Sequence, residues 1–170
     1  MEFLIAITKA FIFSIFLIGG ANYVNDAPVD YSHESNEADI QLIKNVFDFD
    51  DNKIVRLIND LREQNDLPRL ELSAELKRSS LLKVDDMIEN LYFSHTNPDG
   101  ERFVENFKKI GYKYSICGEI LGIGFTTEEG VVEGWLHSLT HKNVILEDKY
   151  KEINCSSIGS LVACHFGNQL

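Results

Sequence analysis

The sequence predicts an α+β domain in which an antiparallel sheet is covered by helices. Three observations predict it: apolar residues recur at helical spacing through the earlier part of the chain, strand-like runs cluster late, and residues 152–167, EINCSSIGSLVACHFG, read as a hairpin. With 170 residues, 44% of them hydrophobic and 25% charged, the chain suits one well-buried domain and is short for two.

Residues 3–21, FLIAITKAFIFSIFLIGGA, are apolar apart from Thr8, Lys9 and Ser14. The uninterrupted run from Ala10 to Ala21 has the length of a signal-peptide core, and Gly19 and Ala21 supply the small residues that cleavage after Ala21 requires. Residues 1–21 are therefore read as a signal peptide or, in the competing reading, as an uncleaved membrane anchor. Residues 22–38 are polar and acidic, include His33, and read as a flexible linker. The domain is expected over residues 39–170, with a short helix over Ile40, Ile43, Val46 and Phe47 ahead of its main body.

A helix is predicted from Asn52 to Asn65, capped by Asp50 or Asp51, with Ile54, Leu57, Ile58 and Leu61 as its apolar stripe and Pro68 preventing its continuation. The acidic run Asp48, Asp50 and Asp51 lacks the glycine and distal glutamate of a calcium loop, so capping is its expected role. Ser73 caps a second helix, in which Leu76, Leu81, Val84, Met87, Ile88 and Leu91 can face a core. A turn follows at Asn97-Pro98-Asp99-Gly100, then a shorter helix, GERFVENFKKIG, closed by Gly111. Residues 118–125, GEILGIGF, form a candidate strand, and Thr126-Thr127-Glu128-Glu129 is a capping box opening a helix through Val131, Val132 and Trp135.

The terminal hairpin turns at Gly159-Ser160, a dipeptide suited to a two-residue type II′ turn. Counting outward, Ile158 faces Leu161 and Cys155 faces Cys164 at a non-hydrogen-bonded position, where Cα atoms lie about 4.5 Å apart. That spacing admits a disulfide, so Cys155–Cys164 is predicted to be bridged, in keeping with export. The alternative is two reduced cysteines packed as small hydrophobes. Cys117 is left over; it is either a buried thiol or, given a basic neighbour, a nucleophile.

A formal charge of −11 repels phosphate backbones and anionic headgroups. Nucleic acid is therefore not an expected partner, and membrane contact is expected only through an uncleaved N-terminal segment.

The succession INDLREQNDLPRL, LSAELKRSSLLKVDDM, FSHTNPDG, CGEILGIG, VVEGWLHSLTHKNVIL and EINCSSIGSLVACHFG, spanning about residues 52–168 in order, resembles the CAP superfamily of cysteine-rich secretory, antigen 5 and pathogenesis-related proteins. The likeness is to its bacterial-type SCP-like branch. The resemblance implies an α-β-α sandwich, usually extracytoplasmic, with a polar cleft lined by histidines and glutamates. It places His95, Glu119 and His141 in that cleft. The family's second glutamate, three residues after the tryptophan, is here Ser138, and Glu133 points away from that position on a helical wheel. The asparagine usual after the cleft glutamate is Ile120, and the usual Pro-Gly before the second histidine is Leu139-Thr140.

His95, Glu119 and His141 are the kind of ligand set that suits Zn²⁺ with an open position for water, and a metal-bound water could act as nucleophile while Ser138 or a backbone amide orients a substrate. That reading makes the protein a secreted zinc-dependent hydrolase of peptides or cell-wall material, with Glu119 as its catalytic residue. A second reading is a structural polar network without turnover. The leading expectation, given the lost glutamate, is a secreted binding or interaction module for a lipid, a sugar or a protein. Outside the cleft, His137 is expected on an exposed helix surface and His165 in the sheet beside the hairpin. Trp135 is expected as a core anchor, with Tyr92, Phe93 and Phe103 packing around the His95 loop.

Overall fold

The computed structural model describes residues 49–170. The signal or anchor segment, the linker with His33, the short helix over 40–47 and Asp48 lie outside the described residues.

Helix α1 (Asp51–Gln64) starts where Asp50 accepts a hydrogen bond from the Lys53 amide at 3.1 Å. Ile54, Val55 and Ile58 are buried, and Leu57 and Leu61 pack at the edge of the same cluster. The helix ends before Pro68 can act, because Asp66 takes φ 58° and the Leu67 amide bonds back to the Arg62 carbonyl. Strand β1 (Glu71–Leu72) is short and leads to helix α2 (Ala74–Glu89), capped by Ser73.

The predicted core face of α2 needs correction. Leu81 and Leu91 are 41% and 37% exposed, whereas Ser79, Ser80 and Lys83 are buried beside Leu76, Val84 and Met87. An apolar count misses this because the sheet presents polar partners to α2. Phe93, expected as a packing residue, is likewise exposed.

Helix α3 (Val104–Lys109) begins later than predicted. Asn97 accepts the Glu101 amide at 2.8 Å and Thr96 pairs with Arg102 in an isolated bridge, so the residues after the turn are held extended. Gly111, with φ 76°, closes α3 as expected. Strand β2 (Tyr114–Ile123) starts four residues before the predicted segment and stops at Gly124, whose φ of 81° breaks it.

Helix α4 (Glu128–Leu136) is capped by Thr127, whose hydroxyl accepts the Gly130 amide at 3.1 Å. With Thr127 as the cap, the third helical residue is Gly130 rather than a glutamate, so a simple cap replaces the expected capping box. A break at His137-Ser138 separates α4 from helix α5 (Leu139–Ile145). Strands β3 (Glu152–Ile158) and β4 (Leu161–Gln169) form the hairpin in the predicted register, with Gly159 at φ 59°.

The sheet order is β1-β3-β4-β2. It is mixed rather than wholly antiparallel, since β1 pairs parallel with β3. Side-chain alternation gives it two unlike faces. Ile120, Ile153, Cys155, Val162, Cys164 and Phe166 pack against α1, α4 and α5. Leu121, Ala163, Glu119, His165 and Ser156 turn toward α2 and α3. The result is the three-layer α-β-α arrangement. Trp135 is buried, and its indole N–H donates to the Leu121 carbonyl at 2.7 Å, covering a free backbone group of the edge strand β2.

Cys155 and Cys164 are bridged, with Cα atoms 4.0 Å apart, the close spacing of a non-hydrogen-bonded pair. Cys117 is the free cysteine. Replacing both bridged cysteines by serine is expected to lower the unfolding free energy by about 2–3 kcal/mol, from loop closure and burial of two hydroxyls, in urea melts. Gly118 leaves no room for a side chain unless Tyr150 shifts: a Cβ there would lie 2.3 Å from the Tyr150 hydroxyl. Gly118→Ala is expected to cost about 1–3 kcal/mol in the same assay, whereas Gly100→Ala, which meets nothing within 4 Å, should show only the smaller cost of its left-handed φ of 85°.

Candidate functional site

Glu119 stands on β2 and turns toward α2, with its side chain fully buried. A lone carboxylate in that position would cost several kcal/mol. Two imidazoles satisfy it: His165 Nε2 donates to Oε2 at 2.8 Å and His95 Nδ1 donates to Oε1 at 2.6 Å. A carboxylate can only accept, so both rings must present N–H groups to it. The other nitrogen of His165, Nδ1, is hydrogen-bonded to the Ser79 hydroxyl of α2 at 2.8 Å.

Burial alone would push the Glu119 carboxyl up. The hydrogen bonds from His165 and His95, with the charges of His165 and of buried Lys83, outweigh that and hold it below the usual carboxylate range. The buried group is therefore an anion.

The two histidines differ in access. His165, on β4 directly opposite Glu119 in register, is fully buried under the rings of Phe103 and Phe107, whose centroids lie 5.9 and 5.0 Å from its own. His95, on the loop after α2, leaves 51% of its side chain exposed. The Phe103 amide donates to its carbonyl at 3.0 Å, and the Phe103 ring meets its imidazole edge-on at 6.4 Å.

His141 is half-buried on α5 and makes no hydrogen bond to Glu119 or His95. Desolvation, then the charge of His95, keep its imidazole below the usual range, so it stands within His95's field. Among the described residues, no group of three His, Cys, Asp or Glu side chains comes together to hold a metal ion. Both Glu119 oxygens are already engaged by imidazoles, so this donor geometry does not fit the expected zinc set of His95, Glu119 and His141. His95 and Glu119 are joined directly; His141 shares no hydrogen bond with either.

Ser138 occupies the N-cap position of α5 without a side-chain capping bond, and its hydroxyl pairs with Thr140 Oγ1 at 2.9 Å rather than with the Glu119 group. His137 is exposed, and its Nδ1 donates to the Glu133 carbonyl at 2.8 Å. Burial pushes the Cys117 thiol up, against opposing effects of Tyr114 and Arg102, which suits a quiet thiol rather than a nucleophile.

Sequence reasoning missed His165, Ser79 and Lys83 as members of this group. The available signal was the pairing of CGEI with ACHF: aligning Ile120 with Cys164 puts Glu119 opposite His165.

A model of the cysteine-rich secretory protein family, CAP, matches residues 55–161. The chain belongs to the CAP family. Two Bacillus subtilis (strain 168) proteins are similar in sequence: the uncharacterized protein YkwD, 31% identical over 64% of this chain and 42% of its own length, and the uncharacterized membrane protein YlbC, 26% identical over 59% and 29%. The CAP chain thus spans less than half the length of these curated relatives. In structure it is similar to an extracellular protein containing an SCP domain from Bacillus anthracis, with TM-score 0.68 and 20% identity over 81% of this chain and 45% of that one. It is also similar to an outer surface protein of Borrelia burgdorferi, with TM-score 0.66 and 22% identity over 70% and 92%. Among the described residues of this CAP chain, no helix is long and apolar enough to cross a membrane.

The depressed Glu119 carboxyl has a definite consequence for acid stability. Its contribution is fully present above the unfolded carboxyl value, about 4.3, and is lost as pH falls through the lower folded value. Glu119→Gln is expected to be less stable than wild type by about 1–3 kcal/mol near neutral pH. It should also lose less stability than wild type between pH 5 and 2 in urea melts recorded across that range.

Proposed function

We propose that this CAP domain is an extracytoplasmic binding or interaction module that contacts its ligand through His95, with His141 alongside. The carrying observation is the division of labour at Glu119: the carboxylate is sealed inside with both oxygens occupied, and the group facing solvent is an imidazole it orients. A buried, fully engaged carboxylate is poorly placed to activate water, whereas a fixed exposed imidazole is suited to recognition. With Nδ1–H turned to Glu119, His95 presents its other ring nitrogen, Nε2, to a polar group on the ligand, such as a sugar hydroxyl or a peptide group. The acidic charge of the chain favours neutral or cationic ligands over anionic ones. The disulfide, the apolar N-terminal sequence and the extracellular and outer-surface relatives support placement outside the cytoplasm.

The competing reading, a zinc-dependent hydrolase built on His95, Glu119 and His141, draws support from the position of His141 in the field of His95. It requires Glu119 to give up an imidazole, and the same experiment decides between the two. Histidine-resolved NMR titration with cell-wall oligosaccharides, cationic peptides and zinc is expected to show saturable shifts centred on His95 and His141 with an organic ligand. His95→Ala should weaken that binding at least tenfold, and substitutions between Asn97 and Arg102 should weaken it less. Stoichiometric zinc uptake lost in both His95→Ala and His141→Ala, together with peptide or glycan cleavage lost in Glu119→Gln, would overturn the binding-module reading.

A further inference from the structure

Lys83 is an ammonium-bearing side chain only 1% exposed, on the face of α2 that looks toward the Glu119 group. Its Nζ donates to the Tyr92 hydroxyl at 2.9 Å and lies 4.7 Å from the centre of the Tyr92 ring. The Tyr92 hydroxyl in turn donates to the Asp86 carboxylate. A cation and an anion on one helix are thus bridged by a phenol that arrives from the loop beyond it.

The backbone aims Tyr92 at this position. Leu91 adopts φ 52°, a conformation unfavourable for a residue with a side chain, and lets the Tyr92 amide bond back to the Met87 carbonyl at 3.1 Å. Between the end of α2 and the Thr96–Arg102 bridge, Phe93, Ser94 and His95 are all exposed. The His95 loop is therefore held from behind by Thr96, Arg102 and Phe103, and from in front by Tyr92.

We propose that Lys83, Tyr92 and Asp86 form a positioning clamp that sets the His95 imidazole on Glu119. Tyr92 serves as the pin, and Lys83 and Asp86 hold the pin from two sides. Buried Lys83 has no apolar substitute in this role, because the Tyr92 oxygen needs a donor as well as an acceptor. The clamp makes the exposed face of His95 dependent on α2, a helix that does not itself carry His95. The functional consequence rests on the reading of His95 as the ligand-contacting group; the geometric claim does not.

Glu119 provides an internal control, since it accepts one hydrogen bond from clamped His95 and one from sheet-bound His165. Proton NMR of the full chain can follow the two imidazole N–H protons on this carboxylate separately. In Tyr92→Phe, which keeps the ring and removes both hydroxyl bonds, exchange of the His95 Nδ1–H with water should accelerate at least tenfold while the His165 Nε2–H stays within twofold of wild type. Asp86→Asn, a second variant with a smaller change, should move His95 in the same direction. Unchanged exchange at His95 in both variants, or equal acceleration at His95 and His165, would overturn the clamp. An intact clamp response with no ligand effect in Tyr92→Phe would instead count against His95 as the contact group.

Discussion

The interaction on which the site depends is the ionised carboxylate of Glu119 inside the sheet-helix interface. Burying that charge is tolerable only because two imidazole N–H groups meet it, and each donor constrains a different part of the chain. His165 fixes the pairing of β4 with β2, since a shift of one residue would turn it to the opposite face. Ser79, which completes His165, fixes the rotation of α2 over the sheet. His95 draws the following loop onto the same point.

The two faces of the sheet divide the work between them. Toward α1, α4 and α5 the strands present an apolar layer that includes the Cys155–Cys164 bridge, and stability there comes from burial and from constraint of the unfolded chain. Toward α2 the layer is mixed: Val84, Met87, Leu121 and Ala163 pack beside Glu119, His165, Ser80 and Ser156, with the two serine hydroxyls joined at 2.8 Å. Hydrogen-bonded groups of this kind specify one arrangement of helix on sheet, because a misplaced helix would strand several polar groups at once. In the proposed recognition role the contact group must be held still, and the frame around Glu119 is what would hold His95.

Much of this was legible in the sequence where a local rule acted alone. Asp50 and Ser73 cap helices, Gly159-Ser160 turns the hairpin, and the hairpin register predicts the disulfide. Family resemblance pointed to Glu119 and His95, which are hydrogen-bonded to each other in the structure. What escaped was decided by partners distant in sequence. Ser79 and Lys83 look like surface residues until a polar sheet face is opposite them, and Leu81 and Leu91 look like core residues for the same reason. His165 read as an incidental sheet histidine because its meaning depends on the β2–β4 pairing, which no turn dictates. The start of α3 was misplaced because the Asn97 side chain captures the Glu101 amide and extends the turn.

The central claim is that Glu119 and His165 are energetically one unit around which the site is assembled. A double-mutant cycle with Glu119→Leu, His165→Leu and the double variant, followed by urea unfolding at pH 7, tests it most directly. Each single variant leaves the other member of the pair buried without its partner and the double variant does not, while the losses at Ser79 and His95 cancel around the cycle, so the account predicts a coupling of at least about 1.5 kcal/mol. Additive effects, with a coupling below about 0.5 kcal/mol, would contradict it.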